Sequence, residues 1–229
     1  MTTFTLGGSE GKHAASVRRL RVGEAIQISN GCGGRIRGQV SAVRQSELDV
    51  AVTSCSQDNA EKIQITLVQA LAKGDRDELA IQATTELGIS RVIPWQAEYS
   101  ISRWEGAKVA KSVDRWQSIV SEAAKQSLRS FEPLVANPVT VKDLVADKSL
   151  VGKKLVLDPT ARQGLASIES FGDSVMLLVG PEGGISSNEL NLSETAGFER
   201  VTIGTGILRT STAGVAAISA ILALSGNWN

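Results

Sequence analysis

From Ile63 onward the chain carries short apolar runs without polar alternation: ITLVQAL (65–71), RVIPW (91–95), KKLVLDP (153–159), SVMLLVG (174–180) and RVTIG (200–204). Strands buried on both faces read this way. Between them lie segments with helical spacing. DRDELAIQATTELGI (75–89) sets Leu79, Ala83 and Leu87 four apart and places Gly88 at its C-cap. WEGAKVAKSVDRWQSIVSEAAKQSL (104–128) gathers Val113, Trp116, Ile119, Val120 and Ala123 on one face. Pro94 is expected to end the RVIPW strand. The last three runs are each followed by a turn and a helical pattern. The final helix, TSTAGVAAISAILALSG (210–226), is apolar nearly all round, so it is either buried on most sides or packed on a partner chain. Such alternation defines an α/β domain with a parallel sheet.

Residues 20–68 read differently. AIQISN alternates, GCGG turns, and RIRGQVSAV, LDVAVTS and IQITLVQAL follow at short spacing. This pattern predicts a small β-barrel or sandwich. The expected domains are 1–66 and 67–229. With 42% hydrophobic and only 4% aromatic residues, the core must be aliphatic. Net charge is zero but uneven: residues 1–46 hold seven Lys and Arg against two Glu, a net of +5. A basic module on a mildly acidic body is a footprint of polyanion binding, and equally of a solvated surface. Two cysteines and one histidine are too few for a disulfide scaffold, and no metal site is expected. Met1–Lys12 lacks the apolar stretch of a secretory leader. The longest apolar run, Val215–Leu224, is about half a membrane span. A cytoplasmic protein without a membrane partner is expected.

Ligands of open parallel sheets bind at the carboxyl ends of the strands. Three such ends are distinctive: LDPTARQG (157–164), VGPEGG (179–184) and IGTGILRTSTAG (203–214). Each alone is ordinary turn chemistry, but they follow successive strands. No Gly-Lys-Ser/Thr phosphate loop occurs, and Gly-Pro-Glu-Gly-Gly is not a dinucleotide fingerprint. Pro181 removes a donor from an anion nest, and Glu182 repels a pyrophosphate. A phosphate-free ligand with an adenine ring, ribose hydroxyls and a cation fits better. S-adenosyl-L-methionine is such a ligand.

The segments LLVGPEGGISSNEL (177–190) and IGTGILRTSTAGVAAISAI (203–221) together resemble the two signature segments of the RsmE family of SPOUT methyltransferases. HAASVRRLRVGEAIQISNG (13–31) resembles that family's N-terminal PUA-like barrel. LAKGDRDELAIQATTELGISRVIP (71–94) and RWQSIVSEAAKQS (115–127) resemble the opening of its catalytic domain. The resemblance implies a parallel-sheet SPOUT domain with a C-terminal trefoil knot, which periodicity does not supply. It implies a homodimer with the active site between subunits. It also implies methylation of N3 of a specific uridine in 16S ribosomal RNA of the small subunit, with S-adenosyl-L-methionine as cofactor. Two positions depart from the family pattern: Gly206 stands where arginine is usual and Ser211 where glutamate is usual. Family members often begin with an extra strand bearing basic and aromatic residues, and this chain reads as shorter there.

Methyl transfer needs an aligned nucleophile and a cation near the uracil oxygens. Arg209 is the candidate for that cation, or for holding the target phosphate; a helix-start salt bridge is its structural alternative. Glu182 is a candidate base, or a carboxylate complementing a helix dipole. Cofactor contacts are assigned to Leu157, Val179, Gly180, Glu182, Gly183, Ile203, Gly204, Leu208 and Thr212, with Asp158 placed to reach a ribose. Arg18, Arg19, Arg21, Arg35 and Arg37 are expected on RNA phosphates. Gln126 and Arg129 resemble a family segment beside the active-site cleft. A SPOUT enzyme for another RNA site, or a non-catalytic RNA-binding or ribosome-assembly factor, remains open. A nucleotide-binding oxidoreductase is disfavoured by the missing fingerprint.

Overall fold

The alternating N-terminal runs become an antiparallel sheet. Its strands are β1 (Thr3–Leu6), β2 (Ala25–Ser29), β3 (Gly34–Val43) and β4 (Leu48–Gln57), hydrogen-bonded in the order β1-β4-β3-β2. A short helix, α1 (Gly8–Lys12), and one π turn precede β2. The sequence reading begins its strands near residue 20. The structure adds β1, whose four residues are too few for a period of two to register. The ladder between β3 and β4 slips at Arg37/Gly38 and again at Val40/Ala42. Gly38 is required at the first slip, because a β-carbon there would fall 2.4 Å from the Ala51 carbonyl oxygen. Ala14, Val40, Leu48 and Val50 form the buried centre, with Leu6, Leu20, Ile26 and Ile28 packed on it.

The computed structural model describes residues 2–228, and the chain divides into two compact units, Met1–Ala60 and Glu61–Asn229. In the second unit the apolar runs form β5 (Gln64–Ala70), β6 (Arg91–Trp95), β8 (Lys153–Leu157), β9 (Ser174–Val179) and β10 (Glu199–Val201), joined by a short β7 (Leu134–Val135). All pair in parallel, in the order β10-β8-β9-β5-β6-β7. The helices are α2 (Arg76–Glu86), α3 (Lys108–Gln126), α4 (Val141–Ala146), α5 (Ser187–Thr195) and α6 (Thr210–Leu224). Strand alternation sorts them into layers. Leu67, Leu155, Leu177 and Val201 point to one face and meet Ile81 of α2, Trp116 and Val120 of α3, and Ile218 and Ile221 of α6. Val68, Val156 and Leu178 point to the other, toward Leu144 of α4 and Leu190 of α5. Each buried Leu or Ile contributes roughly 1.5–3 kcal/mol. Trp104 stands edge-on to Trp116 with ring centroids 4.8 Å apart.

Several expectations are corrected. The buried face of α2 is Asp77, Ala80, Ile81, Thr84 and Thr85, whereas Leu79 is half exposed. Threonines can face the core because their hydroxyls are satisfied inside the helix: Thr84 donates to Ala80 O and Thr85 to Ile81 O, both at 2.7 Å. Gly88 does follow the helix end in the left-handed region (φ 93°), with Leu87 as the C-cap. Pro94 lies inside β6 rather than ending it; its carbonyl accepts from the Val139 N–H at 2.9 Å, and the strand continues to Trp95. The long helix begins at Lys108, not Trp104. No α-helix follows β8, only a 3-10 turn at Leu165–Ser167.

Candidate functional site

The carboxyl ends of β8, β9 and β10 enclose a cavity of about 430 Å³. Its walls come from the three turns singled out in the sequence: Leu157–Pro159, Val179–Gly184 without Gly183, and Val201–Thr210 without Gly204 and Thr205. Leu157, Val179, Gly180, Glu182, Ile203, Leu208 and Arg209 all line it, as does Gly206. Three expected contacts lie outside. Gly183 backs onto Tyr99, Gly204 (φ 143°) is not part of the lining, and the Thr212 hydroxyl donates to the Arg209 carbonyl at 3.2 Å. The sequence reading missed Arg76, Ile185, Leu190, Thr210 and Ala213, which complete the lining. Thr210 lay within a quoted segment; nothing near Arg76 in sequence pointed to a residue more than a hundred positions away.

A buried relay clamps two of the turns together. Gln69 of β5 is fully buried, and its Nε2 donates to Thr210 Oγ1 at 2.9 Å. Thr210 Oγ1 in turn donates to the Gly180 carbonyl at 2.8 Å. The Gln69 Oε1 has no partner, an arrangement that costs free energy in a buried site. Thr210 is the first residue of α6, so the relay fixes the helix start and the residue before it, Arg209, against the 180–184 turn. No ion pair among the described residues engages Arg209, which is exposed. The helix-start salt bridge is therefore absent.

Glu182 does not stand at a helix start. The first turn of α5 is held by a capping box between Ser186 and Glu189, four and seven residues later. Instead Glu182 Oε1 accepts from the Arg76 guanidinium at 2.8 Å and from the Lys73 N–H at 3.1 Å. Burial pushes its pKa up, but hydrogen bonds from its own backbone, Arg76 and Lys73 outweigh this and hold it below the usual carboxylate range. Asp158 is likewise occupied. Its carboxylate accepts from the Thr160 N–H at 2.8 Å and hydroxyl at 2.9 Å, and from Arg200 Nε at 2.6 Å. Burial raises its pKa, yet these bonds lower it overall. It shapes the 157–160 turn rather than reaching into the cavity with a free oxygen.

The expected RNA residues scatter. Arg18, Arg19, Arg21 and Arg37 are exposed in the first unit, while Arg35 is half-buried and paired with Asp58 at 2.7 Å. Arg37 also donates to Gln27 at 3.1 Å. Gln126 ends α3 in solvent. Arg129 is tied to the Glu86 carbonyl at 2.9 Å and to Glu61 at 2.6 Å, which places it by the C-terminus of α2 and the amino end of β5, whereas the cavity lies at the carboxyl ends of the parallel strands.

The cavity suits an adenosyl group. Its volume falls within the roughly 300–1,000 Å³ typical of small-molecule sites. Leu157, Val179, Ile185, Leu190 and Ile203 give flat apolar walls for a ring. Among the described residues the N–H groups of Ile203, Gly206 and Leu208 donate to no other group of the chain, so they are available to a heterocycle edge. At the rim Arg76 neutralises the Glu182 carboxylate, so the cavity's apolar walls and open N–H groups, rather than its charge, suit the ligand.

Such features define an α/β protein that takes a small ligand at the ends of a parallel sheet and carries a separate β unit. A family described as RNA methyltransferase domain matches residues 59–222, and one described as RNA methyltransferase PUA domain matches residues 6–52. The protein named Ribosomal RNA small subunit methyltransferase E from Mycobacterium bovis is 36% identical over 227 residues, covering 97% of this chain and 87% of that one. Its namesake from Bacillus subtilis is 33% identical over 231 residues, covering 96% and 89%. A crystal structure of Ribosomal RNA small subunit methyltransferase E from Neisseria gonorrhoeae bound to S-adenosyl methionine superposes with a TM-score of 0.88 at 29% identity, covering 97% of this chain and 92% of that one. The chain belongs to the RNA methyltransferase family, and within it to the group named Ribosomal RNA small subunit methyltransferase E.

Proposed function

We propose that this chain transfers a methyl group from S-adenosyl-L-methionine to N3 of a specific uridine in 16S ribosomal RNA of the small subunit. The carrying observation is the cavity itself: three turns that the sequence singled out enclose one adenosyl-sized space. The relatives' names and the cofactor-bound neighbour point the same way. When bound, the cofactor supplies an activated methyl group on a sulfonium. The chain's own residues position and polarise. Leu157, Val179 and Ile203 would hold the adenosyl ring and exclude water, and the Gln69–Thr210–Gly180 relay keeps the two flanking turns in register. Arg209, exposed at the rim and without an ion pair, is the cation for the uracil oxygen that gains charge as N3 loses its proton. Glu182 serves as a positioning residue that ties the turn to Arg76 and Lys73.

The reading includes a homodimer and a knotted C-terminal chain. Leu224 and Trp228 leave more than half their surface exposed at the end of α6, as a second copy would require. The stretch after β10 pairs with the stretch after β8, Leu165 N–H to Thr202 O at 2.8 Å and Thr202 N–H to Gln163 O at 2.9 Å. It then returns past β8 to start α6 beside Gly180. No helix among the described residues is long and apolar enough to cross a membrane. Calorimetric titration tests the ligand class: S-adenosyl-L-methionine is expected to bind and NADH not to. Binding of NADH alone would overturn the reading. Arg209→Ala is expected to keep cofactor affinity near wild type while turnover falls; equal loss of both would assign Arg209 to binding.

A further inference from the structure

The cavity uses the ends of β8, β9 and β10, whereas the loop after β6, residues 96–107, takes no part in its lining. That loop is nonetheless pinned at several points. The Glu98 N–H donates to the buried Glu189 carboxylate at 2.9 Å, and the Trp104 N–H donates to Gln96 Oε1 at 2.8 Å. Trp104 itself is buried on Trp116. Between these anchors the loop presents Tyr99, the chain's single tyrosine, at 49% exposure, and Ile101 at 70%. Tyr99 rests on the 180–184 turn: a β-carbon at Gly183 would lie 3.0 Å from the Tyr99 β-carbon. The neighbours of Gly183 on both sides, Glu182 and Gly184, line the cavity. Two exposed cations belong to segments bonded to this turn and loop. Lys73 reaches the same turn through its backbone bond to Glu182, and Arg103 is fixed by donating to the Glu98 carbonyl at 3.0 Å.

A half-exposed aromatic residue on a pinned loop, with cations on the adjoining segments, can stack an unpaired base while its phosphates are neutralised. We propose that Tyr99 is a stacking platform for a nucleobase of single-stranded RNA at the cavity mouth, with Lys73 and Arg103 on the adjoining phosphates. The platform receives the acceptor strand, and to that extent it rests on the function proposed above. A base drawn from its stack must be held on some surface before it can be modified, and an aromatic face accepts any base.

Two titrations of the full chain test this separately. The first uses a fluorescein-labelled, uridine-containing single-stranded oligoribonucleotide at low salt. Tyr99→Ala is expected to weaken binding about five- to one-hundred-fold, with Tyr99→Phe and Tyr99→Trp near wild type. Equal affinity of wild type and Tyr99→Ala, a loss that Phe does not rescue, or no binding by the wild type overturns the platform. The second uses S-adenosylhomocysteine, whose affinity in Tyr99→Ala is expected to stay within about twofold of wild type. A parallel loss of both ligands would assign Tyr99 to the turn's structure and overturn the proposal. Failure of the wild type to bind S-adenosylhomocysteine would sink the methyltransferase reading instead, while the oligonucleotide titration still decides the platform.

Discussion

Two carboxylates near the cavity show how neighbours set a residue's chemistry. Asp77 is buried, and desolvation raises its pKa to about 6 despite hydrogen bonds from the Ala72 and Glu78 N–H groups. A carboxyl with a raised folded pKa holds its proton more tightly in the folded chain. Between 3.8 and about 6 the folded state therefore carries the extra proton, and this contribution to stability falls as pH rises through that window. The span corresponds to at most about 3 kcal/mol. Asp77→Asn, neutral throughout, lacks the slope. Its urea stability relative to wild type is expected to rise between pH 4 and 7, and parallel curves would place the proton elsewhere. Glu182 is the opposite case, ionised and paired with Arg76. Loss of a general base typically costs ~10²–10⁴ in rate. Glu182→Gln is expected to cost less than about tenfold in turnover; a larger loss at saturating cofactor would make Glu182 the proton acceptor. The sequence named Glu182 but not its role, because the partner that fixes it comes from a different strand end.

The helix α6 depends on one hydroxyl at its start. Thr210→Val keeps the shape but leaves the Gly180 carbonyl without its donor and the Gln69 amide without its acceptor, a buried loss of roughly 1–3 kcal/mol. Thermal unfolding is expected to show that loss, with weaker S-adenosylhomocysteine binding, and Thr210→Ser is expected to restore both. Unchanged affinity in Thr210→Val would separate the relay from the cavity. Elements with strong patterns were legible: the parallel strands, α3 with Trp116 and Val120 inward, and α6. Patterning failed at α2, where threonines that satisfy themselves internally pass for polar residues and Leu79 passes for core. It also failed at β7 and α4, which are two and six residues long. Elements that short are set by their neighbours rather than by their own period.

For the molecule as a whole, chain order does not give strand order. β8, β9 and β10 lie on one side of β5 while β6 and β7 lie on the other, and only contacts distant in sequence decide this. The turns at 157–164, 179–184 and 203–214 could be named in advance because a parallel sheet sends all its carboxyl ends one way; their closure around a cavity could not. Charge reads similarly. The excess in residues 1–46 includes Arg35 and Arg44, which are paired with Asp58 and Asp49, and leaves Arg18, Arg19 and Arg21 exposed. Reversing those three to Glu is expected to weaken RNA binding across sequences and to flatten its salt dependence by about two in slope, since each phosphate contact contributes ~0.7 on single strands. An unchanged slope would remove them from the RNA surface.

The central claim is methylation of a small-subunit uridine at N3. Mass spectrometry of nucleosides from small-subunit RNA tests it directly, in a strain lacking this chain and in the same strain complemented. The expected result is loss of 3-methyluridine on deletion, recovery with the wild-type chain, and little or no recovery with Arg209→Ala. Unchanged 3-methyluridine in the deletion strain would contradict it.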